Sequence, residues 1–187
     1  GLLVAGFPHD GASVSEATRL GDYRGDVMGL VRVGETLLIS GHSNAADGGP
    51  GNVGVLRSDL TGAEWEPLSL EGEVDFHSMV AGGASASSAL IAGLDSATGQ
   101  VFVSPDGGEG WQQGARLVAR SLGWNAAASA LFATTEEGVQ VSLDRGGSFE
   151  PVDGAPALVL LASGPPGASS FLMAGIDVQG VLHTSTD

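Results

Sequence analysis

The sequence predicts an all-β fold made of repeated four-stranded antiparallel sheets, and two observations predict it. Hydrophobic residues make up 42% of the 187 positions, yet only 5% of the positions are aromatic and 31 are glycine. This composition favours many short strands of Val, Leu, Ile and Ala that are joined by frequent turns. The second observation is a turn motif that recurs along the chain at a nearly constant spacing, which is the signature of a repeat architecture.

The recurring motif, called the repeat turn below, has the pattern S-x-D-x-G-x-x-[WF]. Intact copies occupy residues 104–111 and 142–149, a weaker copy occupies 58–65, and a fourth begins at Ser185. The four serines are separated by 46, 38 and 43 residues, and the blades of β-propellers repeat at roughly 40 to 50 residues. The spacing therefore predicts a β-propeller with about five blade units, and it leaves open that these units are part of a larger propeller.

Each residue type in the repeat turn has a local structural role. The aspartate accepts hydrogen bonds from turn amides, the glycine supplies a positive φ, and the aromatic side chain anchors the turn on the core. We therefore interpret the pattern that the two intact copies share as structural rather than catalytic. Its positions are Ser104, Asp106, Gly108, Trp111, Ser142, Asp144, Gly146 and Phe149.

Apolar strands recur in the same order within every period, which predicts one propeller domain over residues 1–187. The predicted blade units are 1–26 (partial), 27–72, 73–118, 119–156 and 157–187 (partial). The predicted inner strand pairs are 28–33 with 36–40, 76–81 with 89–93, 122–126 with 130–134, and 158–162 with 171–175. The first unit has two predicted strands, 2–5 and 12–17, and the last unit stops at its third strand. The sequence leaves open whether the two partial units meet to close a ring or belong to a larger propeller.

The charge balance limits the classes of partner. The chain has 22 acidic and 7 basic side chains, all arginine, for a formal net charge of −15. Such a surface repels phosphate backbones and anionic headgroups, so we expect neither nucleic-acid nor membrane-surface partners. We expect no membrane insertion, because no apolar stretch approaches the roughly 20 residues that a bilayer requires. The chain contains no cysteine, begins with strand-like residues rather than a basic leader, and is expected to be a monomer from which a signal peptide has been removed.

Several polar residues are predicted to gather on one rim of the propeller. In an antiparallel blade, the start of the innermost strand and the end of the second strand lie on the same side. This rule predicts a rim that carries Asp26, Met28, His42, Asp75, His77, Asp95, Trp124, Asn125, Thr135 and Asp177. Of these, the predicted ligand-binding residues are Asp26, Met28, His42, Asp75, His77 and Trp124.

The rim residues suggest metal chemistry. His42, Asp75 and His77 come from adjacent predicted blades, and two imidazoles with a carboxylate can hold zinc or another divalent ion. A thioether from Met28 would favour copper(I). The alternative is a histidine that simply hydrogen-bonds to its neighbouring aspartate, so no cofactor is certain. His9 and His183 are predicted to lie on the surface.

The repeat turns resemble the Asp box, also called the bacterial neuraminidase repeat. Together with the segments 26–29 (DVMG), 40–42 (SGH) and 75–77 (DFH), they make the chain similar to exported bacterial Asp-box proteins that are described as sialidase-like or as glycosyl hydrolases. The resemblance implies a propeller located outside the cytoplasm. It implies hydrolysis less directly, because Asp boxes also occur in propellers that are not enzymes.

Two functions follow as hypotheses. The first is a binding or scaffold module for a small ligand, a glycan or a protein, with a metal- or ligand-binding rim at His42, Asp75 and His77. The alternative is a glycoside hydrolase, sialidase-like in its resemblance, that uses channel carboxylates chosen from Asp26, Asp75 and Asp95. Sialidases need three channel arginines and a nucleophilic tyrosine. Here the single tyrosine, Tyr23, lies in a glycine-rich stretch, which favours the binding module.

Overall fold

The computed structural model describes residues 3–4, 18–44, 46, 48–83, 89–163 and 173–185. Within these ranges the chain forms 17 β-strands and every strand pairing is antiparallel. The strands are β1 (Leu3–Val4), β2 (Thr18–Arg19), β3 (Asp26–Val33), β4 (Thr36–His42), β5 (Val55–Asp59), β6 (Glu66–Ser69), β7 (Phe76–Gly82), β8 (Leu90–Asp95), β9 (Gln100–Ser104), β10 (Gln112–Arg116), β11 (Ala119–Trp124), β12 (Leu131–Thr135), β13 (Gly138–Ser142), β14 (Glu150–Pro151), β15 (Leu158–Ser163), β16 (Met173–Asp177) and β17 (Leu182–Ser185).

Consecutive strands pair into separate sheets, as the repeat predicted. Strands β3 to β6, β7 to β10 and β11 to β14 form three four-stranded sheets, which are the first, second and third blades. The fourth blade contains three described strands, β15 to β17, and β1 pairs with β2 in a small separate sheet. The prediction of an all-β propeller of four-stranded antiparallel blades is confirmed, with about four blades in the described residues.

The innermost strands β3, β7, β11 and β15 follow one another, each in contact with the next. Serine hydroxyls join the blades at this position, because each accepts a hydrogen bond from a backbone amide of the following innermost strand. The donors and acceptors are Phe76 N to Ser40 Oγ at 3.0 Å, Leu122 N to Ser78 Oγ at 3.0 Å, and Leu161 N to Ser121 Oγ at 3.2 Å. These bonds satisfy amides that have no strand partner on that side.

The core lies between the faces of adjacent blades. Between the first and second blades, the fully buried Phe76 belongs to an apolar cluster that includes Leu38 and Val55 of the first blade. Its ring centroid lies 5.6 Å from that of Phe102 and 5.1 Å from that of Trp111, both in its own blade. Between the second and third blades, Leu122, Trp124 and others form a second apolar cluster. Each blade therefore buries its apolar face only against its neighbours, as in other repeat proteins.

The chain ends are described only in part. The predicted strand at residues 12–17 and the beginning of the predicted strand 171–175 lie outside the described residues. Among the residues that are described, β1 and β2 pair with each other and not with the fourth blade, so both arrangements of the partial units stay open. None of the described residues belongs to a helix that is long and apolar enough to cross a lipid bilayer.

Candidate functional site

The strand register gathers the polar rim at one end of the blades. In every blade the start of the innermost strand pairs with the end of the second strand. The pairs are Asp26 with His42, Phe76 with Asp95, Ala119 with Thr135, and Leu158 with Asp177. This end of the blades is called the rim below.

A cluster of three ionisable side chains crosses the rim from the first blade to the second, and we call it the rim cluster. The Nε2 atom of His42 lies 3.0 Å from Oδ2 of Asp75, and Nε2 of His77 lies 2.8 Å from the same oxygen. The two imidazole rings meet edge to face, with their centroids 6.2 Å apart. One atom of each side chain therefore lies within 4.8 Å of the other two.

The two oxygens of the Asp75 carboxylate differ in their hydrogen bonding. Its side chain is only 4% exposed, and Oδ2 accepts a third hydrogen bond, from the Ser96 hydroxyl at 2.9 Å. In contrast, Oδ1 is buried and has no hydrogen-bond partner among the described residues. A buried carboxylate oxygen without a partner is unfavourable, so this oxygen is available as a further ligand for a cation.

A β-bulge in each innermost strand determines the direction of one side chain at the rim. Each of the four described innermost strands contains a β-bulge near its start, which leaves one extra residue between two successive ladder pairs. The bulged residues are Met28, His77, Arg120 and Val159. These four residues therefore occupy equivalent positions in successive blades. A bulge re-aims a side chain, and His77 reaches Asp75 from this position.

An open cleft adjoins the rim cluster. It has a volume of about 740 Å³ and is lined by His77, Met28 and Asp95 together with the arginines at 116 and 120. Met28 is 40% exposed there. The cleft therefore gives solutes access to the face of the second blade that carries His77.

The other carboxylates of the rim are differently placed. The buried Asp95 accepts the backbone amide of Asp75 on Oδ1 at 3.1 Å, and both the amide and the hydroxyl of Thr98 on Oδ2 at 3.1 and 2.6 Å. Its carboxylate thus closes a turn. Asp26 is exposed and pairs across the strands with His42. Asp177 accepts His183 Nε2 at 2.9 Å, and this hydrogen bond lowers the pKa of Asp177.

The structure corrects the position of two predicted rim residues. Trp124 ends β11 and pairs with Leu131 at the start of β12, so it lies at the opposite end of the blade. It is 1% exposed and belongs to the core between the second and third blades, so it offers no platform to a ligand. Asn125 follows it, and its side-chain oxygen accepts the amides of Ser129 and Ala130 in a turn. The reason is that β11 begins at Ala119, three residues before the predicted start.

The repeat turn of the second blade has the local roles expected of its residue types. The hydroxyl of Ser104 donates to Asp106 Oδ1 at 2.8 Å and accepts the amide of Gly108 at 2.8 Å. Asp106 Oδ1 also accepts the amide of Gly110 at 2.8 Å. The hydrogen bonds from Gly110 and Ser104 lower the pKa of Asp106, because they stabilise its charged form.

The third blade repeats this geometry. The Ser142 hydroxyl donates to Asp144 Oδ1 at 2.7 Å and accepts the amide of Gly146 at 2.7 Å. The hydroxyl of Ser142, followed by the amide and hydroxyl of Ser148, lowers the pKa of Asp144 to about 2. Both aspartates thus serve their own turns rather than the rim.

Tyr23 packs against the first blade. Its ring centroid lies 6.0 Å from that of Trp65, and its buried hydroxyl has no hydrogen-bond partner in the part of the chain that the structure describes. Burial, followed by the charge of Asp26, raises the pKa of Tyr23. His183 lies on β17 with a side chain 34% exposed, whereas His9 lies outside the described residues.

Sequence reasoning missed two residues at the rim. Ser96 donates to Asp75, and its position directly after Asp95, at the end of a second strand, was a usable signal. Arg120 is the bulged residue of the third blade and lines the cleft. Its place depends on a register shift, for which the sequence carries no clear signal.

Comparisons with known proteins agree on the fold. Neither a protein-family profile nor a curated protein sequence matches the chain. Among solved structures, it is similar to an ancestral GH74 enzyme (13% identity, TM-score 0.56) and to the GH74 xyloglucanase from Xanthomonas campestris (16%, 0.56), covering 91% and 90% of this chain. It also resembles the β-propeller domain of Cps50 (Swd1) from Myceliophteria thermophila (11%, 0.50), with 82% of this chain and 48% of that one covered.

The chain spans less than a third of the two GH74 proteins, at 27% and 30% of their lengths. At such low identities, likeness of structure is evidence of a shared fold and not of a shared activity. Taken with the blade topology, these comparisons show that the chain has the β-propeller fold.

Proposed function

We propose that this protein is an Asp-box propeller that acts as a binding module, with the rim cluster of His42, Asp75 and His77 holding a divalent transition metal. The observation that carries the proposal is the buried Asp75 carboxylate, which contacts two imidazole nitrogens and has one oxygen with no hydrogen-bond partner among the described residues. The resemblance of the sequence to exported Asp-box proteins supports a location outside the cytoplasm.

The spacing of the cluster suits a small metal ion. Zinc binds imidazole nitrogen and carboxylate oxygen at about 2.0 to 2.2 Å, so two ligands of a tetrahedral zinc lie roughly 3.3 Å apart. The Asp75 oxygen is 3.0 and 2.8 Å from the two nitrogens. Small rotations of the histidines, whose side chains are 44% and 42% exposed, would open the space for an ion.

Electrostatic interactions also favour a metal ion at the rim cluster. An ion would neutralise the buried carboxylate and give Asp75 Oδ1 an electrostatic partner, which the described part of the chain does not provide. Binding through Nε2 requires each histidine to carry its remaining proton on Nδ1, so a bound ion would replace the present hydrogen bonds between Nε2 and Asp75. The net charge of −15 attracts cations to the surface as a whole.

Three protein ligands leave a coordination position for a ligand from solution. Open sites of this kind occur in zinc proteins that bind or activate a water or a substrate. The cleft beside His77 provides the approach for a small ligand, a glycan or a protein side chain. Met28 lines the same cleft, so copper(I) is the second ion to test.

The carboxylates favour binding over glycoside hydrolysis. A glycosidase needs two carboxyl groups that are free to exchange protons or attack the sugar. Both oxygens of Asp95 accept hydrogen bonds, Oδ1 from the backbone amide of Asp75 and Oδ2 from Thr98, and Asp75 Oδ2 accepts three hydrogen bonds. Only Asp26 is exposed among the three candidates, which leaves no pair of free acids.

The experiment is a calorimetric titration of the purified, metal-free protein with zinc, and with copper(I) under reducing conditions. We expect one ion per chain. His42→Gln and His77→Gln each remove a ligand, and each should weaken binding by about 100-fold or more, since even outer-sphere changes have effects of 10- to 100-fold.

His183→Gln is the matched control, because it removes an imidazole that also contacts an aspartate but lies away from the rim cluster. This variant should bind metal like the parent protein. The absence of binding to either ion at equimolar supply, or equal losses in all three histidine variants, would contradict the proposal.

A further inference from the structure

The cleft beside the rim cluster carries positive charge, although the chain as a whole is strongly acidic. The sequence has 22 acidic and 7 basic side chains, yet two of the arginines, Arg116 and Arg120, line this one cleft. Of the residues that line it, all of which are described, only Asp95 is acidic. Asp95 is 3% exposed and accepts hydrogen bonds on both carboxylate oxygens. A solute in the cleft therefore meets the two guanidinium groups rather than a free carboxylate.

A buried glutamine holds Arg116 in place. Gln100 is only 7% exposed, and its Nε2 donates to the Gly114 carbonyl at 2.5 Å. Its Oε1 accepts a hydrogen bond from Nε of Arg116 at 2.8 Å. In the described ranges, the two terminal nitrogens of Arg116 have no hydrogen-bond partner. These nitrogens form an edge of the guanidinium group that can bind a carboxylate through two parallel hydrogen bonds.

Arg120 adds a second guanidinium group to the cleft. It is the bulged residue near the start of β11, and its side chain is 63% exposed. Its Nη2 lies 3.8 Å from Oε1 of the exposed Glu136, which is beyond hydrogen-bonding distance. An exposed ion pair of this kind contributes little, so Arg120 can exchange Glu136 for a ligand.

Two exposed apolar side chains line the same cleft. Val118 lies between the two arginines in the sequence and is 84% exposed, and Met28 is 40% exposed. The volume of about 740 Å³ lies within the range of roughly 300 to 1,000 Å³ that is typical of small-molecule sites. Cationic and apolar groups together fit a small molecule that has one anionic group and an apolar body.

We propose that this cleft binds small organic acids. The carboxylate of the acid pairs with Arg116 and Arg120. Its aliphatic or aromatic body lies against Val118 and Met28. This inference rests on the proposed binding function and deepens it, because it names the class of ligand that enters the cleft carrying His77. The arginines themselves need no metal to bind a carboxylate.

Benzoate is the probe, because it joins one carboxylate to a rigid apolar ring. Benzamide is the matched control without the charge, and acetate keeps the charge without the ring. Each compound is titrated into the isotope-labelled, metal-free full chain, and shifts of backbone amide signals in NMR spectra give the position and the dissociation constant. We expect benzoate to shift the signals of residues 94–99 and 116–120. Benzamide and acetate should each bind about tenfold more weakly or less.

Four variants locate the binding. Arg116→Gln and Arg120→Gln each remove one guanidinium group and should weaken benzoate binding by about tenfold. The exposed position of Arg120 keeps this test available if the loss of Arg116 disturbs Gln100. Val118→Ser should weaken the binding of benzoate but not that of acetate. Arg32→Gln is the matched control, because it removes an exposed arginine that also pairs with a glutamate, at 3.3 Å, but does not line the cleft, and it should leave binding unchanged.

The absence of saturable shifts with benzoate, equal binding of benzoate and benzamide, or shifts that map outside the cleft would overturn the proposal. An equal loss in Arg32→Gln and in the two cleft arginine variants would do the same. Inorganic phosphate that binds as tightly as benzoate would also overturn it, because the apolar body would then contribute nothing. The titration contains no metal, so its failure leaves the zinc result standing, and a failure of zinc to bind leaves the benzoate result standing.

Discussion

Phe76 connects the blade core with the rim, and its removal offers a quantitative test of the fold. The side chain is fully buried and lies between the rings of Phe102 and Trp111. A buried phenylalanine removes roughly 150 to 250 Å² from water, which at about 25 cal/mol per Å² contributes about 4 to 6 kcal/mol as an upper bound. Truncations of this kind have effects of about 3 to 5 kcal/mol. We therefore expect Phe76→Ala to lower the free energy of unfolding by about 4 kcal/mol.

The assay is urea unfolding followed by tryptophan fluorescence, with the midpoint and slope compared with those of the parent protein. Phe76→Leu keeps most of the volume and should lose about 1 to 2 kcal/mol, which provides a folded variant if the alanine form unfolds. Leu143→Ala is the control, because Leu143 is 78% exposed and should change stability by less than about 0.5 kcal/mol. A loss below about 2 kcal/mol for Phe76→Ala would refute the packing described between the first two blades.

Two further predictions concern the repeat turns. Gly114→Ala places a Cβ 2.1 Å from the Gly146 carbonyl oxygen, so the midpoint of thermal unfolding of this variant should fall by several degrees. The control is Gly51→Ala, which adds a methyl group in open space and should leave the midpoint unchanged. Equal midpoints for the two variants would contradict the close approach of the second and third blades. The second prediction concerns Asp144, whose pKa of about 2 is lower than that of an aspartate in an unfolded chain. The charge of Asp144 therefore stabilises the fold fully above pH ~4, and this contribution is lost as the pH falls through about 2. Asp144→Asn should therefore be less stable than the parent protein at pH 7, with the difference shrinking in urea titrations at pH 2 to 3, and a difference independent of pH would exclude the charge as its cause.

Much of the fold was predictable because the repeat is encoded locally. Ser104, Asp106 and Gly108 form their turn largely with one another, so the motif marks the same point of each blade wherever it occurs. The inner segments were correctly predicted to be strands, but the predicted strands were too short. β4 and β8 extend to His42 and Asp95, because polar residues at the rim still pair with the neighbouring strand.

The rim was predictable where side-chain type and strand end coincide. His42, Asp75 and His77 interrupt apolar strands at matching ends, and the structure places them together. Trp124 was misplaced because Ala119 and Arg120, which begin β11, do not form an apolar run that reveals a buried strand. The difference in hydrogen bonding between the two Asp75 oxygens depends on residues that are distant in sequence, such as His42 and Ser96. No local sequence pattern encodes such contacts.

The β-bulge of the innermost strands has the same backbone structure in each blade but carries a different side chain in each. Thioether, imidazole, guanidinium and aliphatic side chains stand at one structurally equivalent place on four blades, at Met28, His77, Arg120 and Val159. Because the strand ladder accommodates all four side-chain types there, the identity of this residue does not determine the local backbone structure. Single substitutions at these four positions should therefore change the chemistry of the rim without altering the strand pairing.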